Sequence, residues 1–432
     1  MAAALLTPED RAILALESDT IAGHTCKVVV LGAGAPNIEA LRTAIADRIA
    51  AAPQLRCRLG GSADAPAWVP DEQFDTAHHV VAADVPGPVD RDELCALVAQ
   101  LFAERLDRAR PLWRIDAVPL AGGGGALVWR IHHALADGTA AMRYAKALLW
   151  DAAGATPRAT GSAAHAVAGH AAQASAAAEH AADEARRRAH LARFLARERP
   201  HAGHRSPFDG HVGTQREIAF ATVPLAPLHD AAKALGDGAT LNDAVLSVVG
   251  GGLRRWLEHE HGRLGSVRVK VPVSLHHAGD DSGNRDSFFA VAVPLGEADP
   301  VVRLRAVHHA TLACKEDHDA ETLDALLHEL ARVSPRLERF VERVERSPRV
   351  FALNVSNVPG PREPVAVLGA QVEAMHSLAE IGERHALRVA VVSLAGTLCF
   401  GFCTDPAIVP DPQTIAAGTE AEAAALIAAA PL

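Results

Sequence analysis

Ala126-Leu127-Val128-Trp129-Arg130-Ile131-His132-His133-Ala134-Leu135-Ala136-Asp137-Gly138 decides how this chain is read. Its first six residues form a short apolar run of the kind that makes a buried strand. The run exits directly into two histidines, three further residues and Asp-Gly, and helical spacing resumes from about Thr139 to Leu149. Adjacent histidines also occur at His78–His79, His276–His277 and His308–His309, and with 23 histidines in 432 residues a doublet alone means little. Only His132–His133 is followed by Asp-Gly at this spacing.

These residue types suit one chemistry. Acyl transfer to an alcohol requires the hydroxyl proton to leave as the oxygen attacks a thioester carbonyl. Imidazole, with an unperturbed pKa of about 6.5, accepts that proton near neutrality and can return it to the departing thiolate. A carboxylate a few residues on can anchor the loop, and glycine after it permits a tight turn and close backbone approach. Two other readings stay open here: a structural histidine pair, and a metal site of the HxxxD type. Zinc usually takes three or four protein ligands, and no third one is evident in the sequence, so no metal is expected.

Outward from this stretch, strand-like and helix-like segments alternate. Pro8–Ser18, Asn37–Ala51 and Asp90–Glu104 read as helices, and Cys26–Leu31 reads as a strand. In the second half Glu217–Val223, Val267–Val273, Ala290–Pro294, Phe351–Val355, Leu387–Leu394 and Leu398–Phe402 are strand-like, and Leu241–Leu257 is a strongly apolar helix. From about Ala152 to Pro200 Ala and His dominate and Arg clusters, which marks a connector. Its basic end reads as a solvated helix face, with anionic lipid headgroups as the other partner. A two-lobed α/β architecture follows, with residues 1–151 and 206–432 as lobes and 152–205 between them.

Composition narrows the function classes. Hydrophobic residues make up 49% and aromatics only 4%, so the cores must be aliphatic. A formal charge of -10 argues against a nucleic-acid partner, which would need fields of Lys and Arg. The six cysteines lack CxxC spacing; the close pair, Cys399 and Cys403, lies in an apolar run and reads as buried reduced thiols, fitting the cytoplasm. Neither a signal peptide nor an apolar run of the roughly 20 residues a membrane helix needs is expected. The protein should be soluble or at most peripheral.

Further motifs accompany HHALADG in a fixed order. Ala52-Pro53-Gln54-Leu55-Arg56 comes first, then Trp68 ahead of Phe74-Asp75 and His79, Leu106-Asp107-Arg108, and Arg110-Pro111-Leu112-Trp113. The second half adds Thr240-Leu241-Asn242-Asp243-Ala244-Val245, Val271-Pro272-Val273-Ser274-Leu275, Gly283-Asn284, Asn357-Val358-Pro359-Gly360-Pro361 and Pro410-Asp411. Together they resemble the bacterial wax ester synthase/acyl-CoA:diacylglycerol acyltransferase family, over nearly the whole chain. That family shares HHxxxDG with chloramphenicol acetyltransferase and with the condensation domains of peptide synthetases.

The resemblance implies two chloramphenicol-acetyltransferase-like α/β lobes around a central channel, with HHxxxDG at its middle. It implies His133 as the base, His132 in support and Asp137 holding the loop. Gly138 would give the acceptor room, and Asn242 and Asp243 would shape the second lobe's side of the site. From residue type alone, Asn242 and Asp243 serve equally well as helix caps, and Pro111 and Trp113 as packing residues. The implied activity is O-acyl transfer from acyl-CoA to a fatty alcohol or diacylglycerol, giving a wax ester or triacylglycerol. Coenzyme A arrives with the donor, and no other cofactor is needed. Substrates this apolar imply peripheral attachment to a membrane or lipid droplet. The family commonly has Arg where His276 and His277 stand, and a Ser-Tyr pair where Ser393-Leu394 stands. These departures suggest an alternative, a tailoring acyltransferase that esterifies a small secondary metabolite. A catalytically silent lipid- or metabolite-binding protein that retains the motif is the reading from another class.

Overall fold

The computed structural model describes residues 3–62, 65–151, 206–260, 262–274, 286–316 and 351–431. The expected connector, the pair His276–His277 and Gly283-Asn284 lie outside these residues.

The strands are β1 (Ala4–Leu5), β2 (His24–Leu31), β3 (Cys57–Gly61), β4 (Pro66–Pro70), β5 (Val80–Ala82), β6 (Trp113–Pro119), β7 (Gly125–His132), β8 (Glu217–Pro224), β9 (Ser266–Ser274), β10 (Asp286–Pro294), β11 (Leu353–Val358), β12 (Ala366–Val367), β13 (Ala370–Ala379), β14 (Leu387–Leu394) and β15 (Thr397–Thr404). They form a six-stranded sheet ordered β12-β13-β2-β7-β6-β5, a second ordered β10-β9-β11-β14-β15-β8, and a small sheet ordered β1-β4-β3.

Sheet membership does not follow the expected split into 1–151 and 206–432. Strand β13 leaves the second half of the chain and pairs antiparallel with β2, from Ala379 opposite Thr25 to Val372 opposite Leu31. Its mixed sequence, AQVEAMHSLA, hides this, because polar residues interrupt the alternation and the partner strand lies far away in sequence. β6 is masked for a related reason. Its Asp116 is buried, and the carboxylate meets Arg130 of β7 at 3.0 Å, so charges sit inside a strand that should read as apolar.

One core spans both sheets. Cys26, Val28 and Val128 of the first pack in the same cluster as Phe220, Val389 and Phe400 of the second. The other face of the first sheet, with Val29, Leu31, Leu127, Trp129 and Ile131, is covered by helices Ile38–Arg48 and Gly138–Leu148. Helix Leu241–His259 is buried along most of its length against the C-terminal helix Pro412–Ala429. Gly251 and Gly252 allow that approach. A Cβ at Gly252 would lie 2.4 Å from Thr419 Oγ1 and 2.5 Å from the Ile415 carbonyl oxygen. Among the described residues all six cysteines are buried free thiols, Cys399 and Cys403 included.

Replacing Gly252 therefore forces two helix backbones apart. Gly252→Ala is expected to cost about 1–3 kcal/mol of stability, read as a lower urea midpoint. Gly296→Ala, where an added Cβ meets nothing within 4 Å, should stay within roughly 0.5 kcal/mol of wild type.

Candidate active site

β7 ends at His132, paired with His24 of β2. The chain then turns tightly, with the N–H groups of Leu135 and Ala136 donating to the His132 carbonyl at 2.9 and 3.1 Å. Asp137 closes the turn as N-cap of helix Gly138–Leu148, its carboxylate accepting from Ala140 N–H at 2.5 Å. So Asp137 holds the loop by capping, which satisfies one of the orphan donors at the helix start.

The His132 ring is buried and oriented from both ends. Its Nδ1 accepts from Ala134 N–H at 3.1 Å, which places the proton on Nε2. That nitrogen lies 2.7 Å from Glu17 Oε1, a close but oblique approach that acts through charge. Glu17 was expected inside a helix running to Ser18, but the helix ends at Leu14 and Glu17 turns inward. Burial would raise its carboxyl pKa, and the contacts with His132 and with Arg108, 2.8 Å away, outweigh that and hold it below the ordinary value. The Leu106-Asp107-Arg108 motif thus acquires a physical role, since Arg108 neutralises the carboxylate behind His132.

His133 is half-buried, and its backbone N–H donates to Gly23 O at 3.0 Å. Desolvation and then the positive charge of Arg388 lower its pKa to about 4, against a smaller upward pull from Asp137. At neutral pH the ring is therefore uncharged and able to take a proton. Arg388 belongs to β14, so a charge on the second sheet contributes to the lowered pKa of a histidine that follows a strand of the first.

The segment before β2 is clamped from β13. Buried Glu380, just past that strand, accepts from Ala22 N–H at 3.2 Å and meets Arg216 Nε at 3.0 Å, while Arg216 also donates to the Thr20 carbonyl. Gly23 follows with φ of +74°, and a Cβ there would lie 2.8 Å from both His132 Nε2 and Glu17 Cγ. Gly138 contacts the second sheet, where a Cβ would come 3.0 Å from Val358 Cγ2. On that side Gly138 faces Val358 of the Asn357-Val358-Pro359-Gly360-Pro361 motif.

Asp243 is drawn elsewhere. Its carboxylate completes a capping box with Thr240 and accepts from Thr311 Oγ1 at 2.5 Å, with His308 Nδ1 2.9 Å away. All these partners belong to helices of the second lobe and none to the histidine loop. Asn242 beside it is half-buried. The PLW segment packs as expected, Trp113 stacking on His79 with centroids 4.5 Å apart and donating from Nε1 to Leu55 O at 2.7 Å.

Sequence reading missed Glu17, Gly23, Lys27, Glu380 and Arg388. Lys27 and Arg388 carry a signal, being lone cations in otherwise apolar strands. Lys27 is buried, donates to Ser377 Oγ at 2.6 Å, and has its ammonium pulled down to about 8 by desolvation. A separate cleft of about 590 Å³ lies against helix Arg91–Ala103 and residues 214–218, and His133 does not line it. Among the described residues no cluster of three or more His, Cys, Asp or Glu is placed to hold a metal.

Residues 6–245 match the model of the wax ester synthase/diacylglycerol acyltransferase catalytic domain, and residues 282–426 match that of the C-terminal domain. The chain belongs to the wax ester synthase/diacylglycerol acyltransferase family. A Mycobacterium tuberculosis (strain CDC 1551 / Oshkosh) protein with a provisional diacylglycerol O-acyltransferase name is 30% identical over 411 residues, covering 86% of this chain and 78% of that protein. The probable diacylglycerol O-acyltransferase tgs1 of Mycobacterium tuberculosis (strain ATCC 25618 / H37Rv) is 29% identical over 420 residues, covering 93% and 90%. Among solved structures, the wax ester synthase/diacylglycerol acyltransferase from Marinobacter aquaeolei VT8 shares the fold with a TM-score of 0.71 at 23% identity, covering 98% of each chain. The first condensation domain of the CDA synthetase does so at 0.56 and 16% identity, covering 100% of this chain and 97% of that one. The family resemblance carried by the motifs, the two-lobed fold and the acyltransferase class therefore hold.

Gly23→Ala tests the support around this enzyme's histidines. The added methyl meets His132 and Glu17 at a backbone angle unsuited to L side chains, and a displacement of that size should cut kcat on the order of 10²-fold. Circular dichroism should remain native; unchanged kcat would show that His132 is not held through Gly23.

Proposed function

We propose that His133 is the general base with which this acyltransferase moves a fatty acyl group from acyl-CoA to the hydroxyl of a fatty alcohol or diacylglycerol, forming a wax ester or triacylglycerol. The observation that carries this reading is an uncharged, half-buried imidazole at the junction of the two sheets, with Arg388 of β14 acting on it. His133 takes the acceptor's proton as its oxygen bonds to the thioester carbonyl carbon. The tetrahedral adduct collapses, the carbon–sulfur bond breaks, and the proton passes from His133 to the sulfur. His132 supports the loop through Glu17, and Asp137 fixes the loop to its helix. Asn242 would face the acceptor side, while Asp243 holds its helix.

An acyl tail needs an apolar conduit, which the reading places as a channel between the lobes. Such substrates and products favour attachment at a membrane or lipid-droplet surface. No helix among the described residues is long and apolar enough to cross a membrane. Of the departures that suggested a tailoring enzyme, Leu394 is buried in the core beside Val392 and Cys399, and Ser393 Oγ accepts from Gly360 N–H at 3.0 Å. Both are occupied structurally, so neither argues for a changed acceptor.

The test supplies purified enzyme with a long-chain acyl-CoA and hexadecanol or diacylglycerol, following CoA release and ester formation. His133→Ala should lower kcat by about 10²–10⁴-fold, and equal turnover in the two proteins would refute the assignment. The pH profile is an independent check. Because the neutral ring is the active form and its pKa is lowered to about 4, kcat/KM should hold well below the ordinary imidazole value of about 6.5. An acid limb at that ordinary value would contradict the burial argument.

A further inference from the structure

His133 Nδ1, Asn354 Oδ1 and Arg388 Nε are buried polar atoms with no protein partner among the described residues. Asn354 and Arg388 stand side by side in the parallel ladder of β11 and β14. Their neighbours Leu353, Val355, Leu387 and Val389 enter the shared core, so alternation turns Asn354 and Arg388 to the other face. On that same face, in the next matched pair but one, Val358 meets Gly138 of the histidine loop.

Arg388 is an unusual cation. Its described hydrogen bond runs from Nη1 to the Glu380 carbonyl at 3.0 Å. The Glu380 carboxylate is already engaged by Arg216 and by Ala22 N–H. The Glu380 carboxylate still acts on Arg388 through its charge, but among the described residues no carboxylate comes within ion-pair distance of the guanidinium. A largely desolvated charge without a close carboxylate is costly, and this one also opposes the protonation of His133. The tension disappears if a negative charge forms between the two. Acyl transfer creates one such charge, on the oxygen of the former thioester carbonyl.

We propose that Arg388 is a catalytic residue that donates a guanidinium N–H to this oxyanion. The proposal rests on the reading of His133 as base. As the acceptor oxygen bonds to carbon, the carbonyl π pair moves onto the oxygen facing Arg388. On collapse that pair re-forms the C=O bond, the C–S bond breaks, and the sulfur receives the proton held by His133. Arg388 keeps its own protons throughout. Its Nη1 bond to Glu380 O holds the guanidinium in place before charge develops, the condition under which electrostatic catalysis is strongest.

The experiment compares Arg388→Gln and Arg388→Lys with wild type and His133→Ala. For Arg388→Gln kcat should fall about 10²–10³-fold, with KM for acyl-CoA changed by less than about threefold. Its acid limb in kcat/KM should move upward, because the charge opposing His133 protonation is gone while Asp137 and His132, the other charged or titratable neighbours, are unaltered. Arg388→Lys keeps the charge, so its acid limb should stay in place, and its shorter reach should cost about tenfold in kcat. Wild-type kcat in either variant, or a loss confined to KM, overturns the proposal. Should the Gln variant not fold, the Lys variant decides on the same criteria. His133→Ala distinguishes the two readings: an inactive His133→Ala beside a fully active Arg388→Gln leaves the base in place and removes only Arg388.

Discussion

The pairing of β13 with β2 is the contact on which the site depends. It brings a strand from the second half of the chain into the first sheet, directly beside the strand that carries Lys27 and follows Gly23. β13 also crosses the second sheet at close range, where a Cβ on Gly401 of β15 would lie 2.1 Å from the Ser377 carbonyl oxygen. A strand shared in this way prevents the lobes from sliding, and the geometry between histidine loop and second sheet is therefore built in. Past its end, Glu380 grips the turn that leads into Gly23. Ladder, clamp and loop form one chain of support.

Electrostatics follows from that arrangement. The junction gathers Glu17, Lys27, Arg108, Asp137, Glu380 and Arg388 around two imidazoles, and partial removal from water makes each charge count for more. The histidines are held differently. His132 is fixed by a donor at one nitrogen and a carboxylate at the other, the arrangement of an orienting residue. Among the described residues His133 has no partner on Nδ1, and burial together with the Arg388 charge keeps its ring neutral. Their sequence adjacency conceals this division of labour, because consecutive residues at a strand end point in different directions.

Asp243 shows the limit of reading a motif by its position. Its carboxylate is saturated by Thr240, Thr311 and the ring of His308, so it locks one helix to another within the second lobe. The His308–His309 doublet, uninformative in sequence, thereby gains a structural purpose. Gly138 teaches the complementary lesson, since the absence of a side chain there lets a valine from another motif approach closely. Two stretches that look independent along the chain are halves of one contact.

The sequence by itself determined the two-lobed α/β class, the strand feeding the histidines, the helix that follows them, and membership in an acyltransferase family. Those features are local: an apolar run, a helix start and a fixed spacing are written in consecutive residues. Tertiary structure alone decided that β13 completes the first sheet, that Glu17 and Arg108 stand behind His132, and that the Arg388 charge helps to lower the His133 pKa. Each of these joins residues with no periodic relation, and each rests on a lone charge or an irregular strand whose meaning depends on what lies across the gap. Hydrophobic patterning records which face of an element is buried; it does not record against which partner.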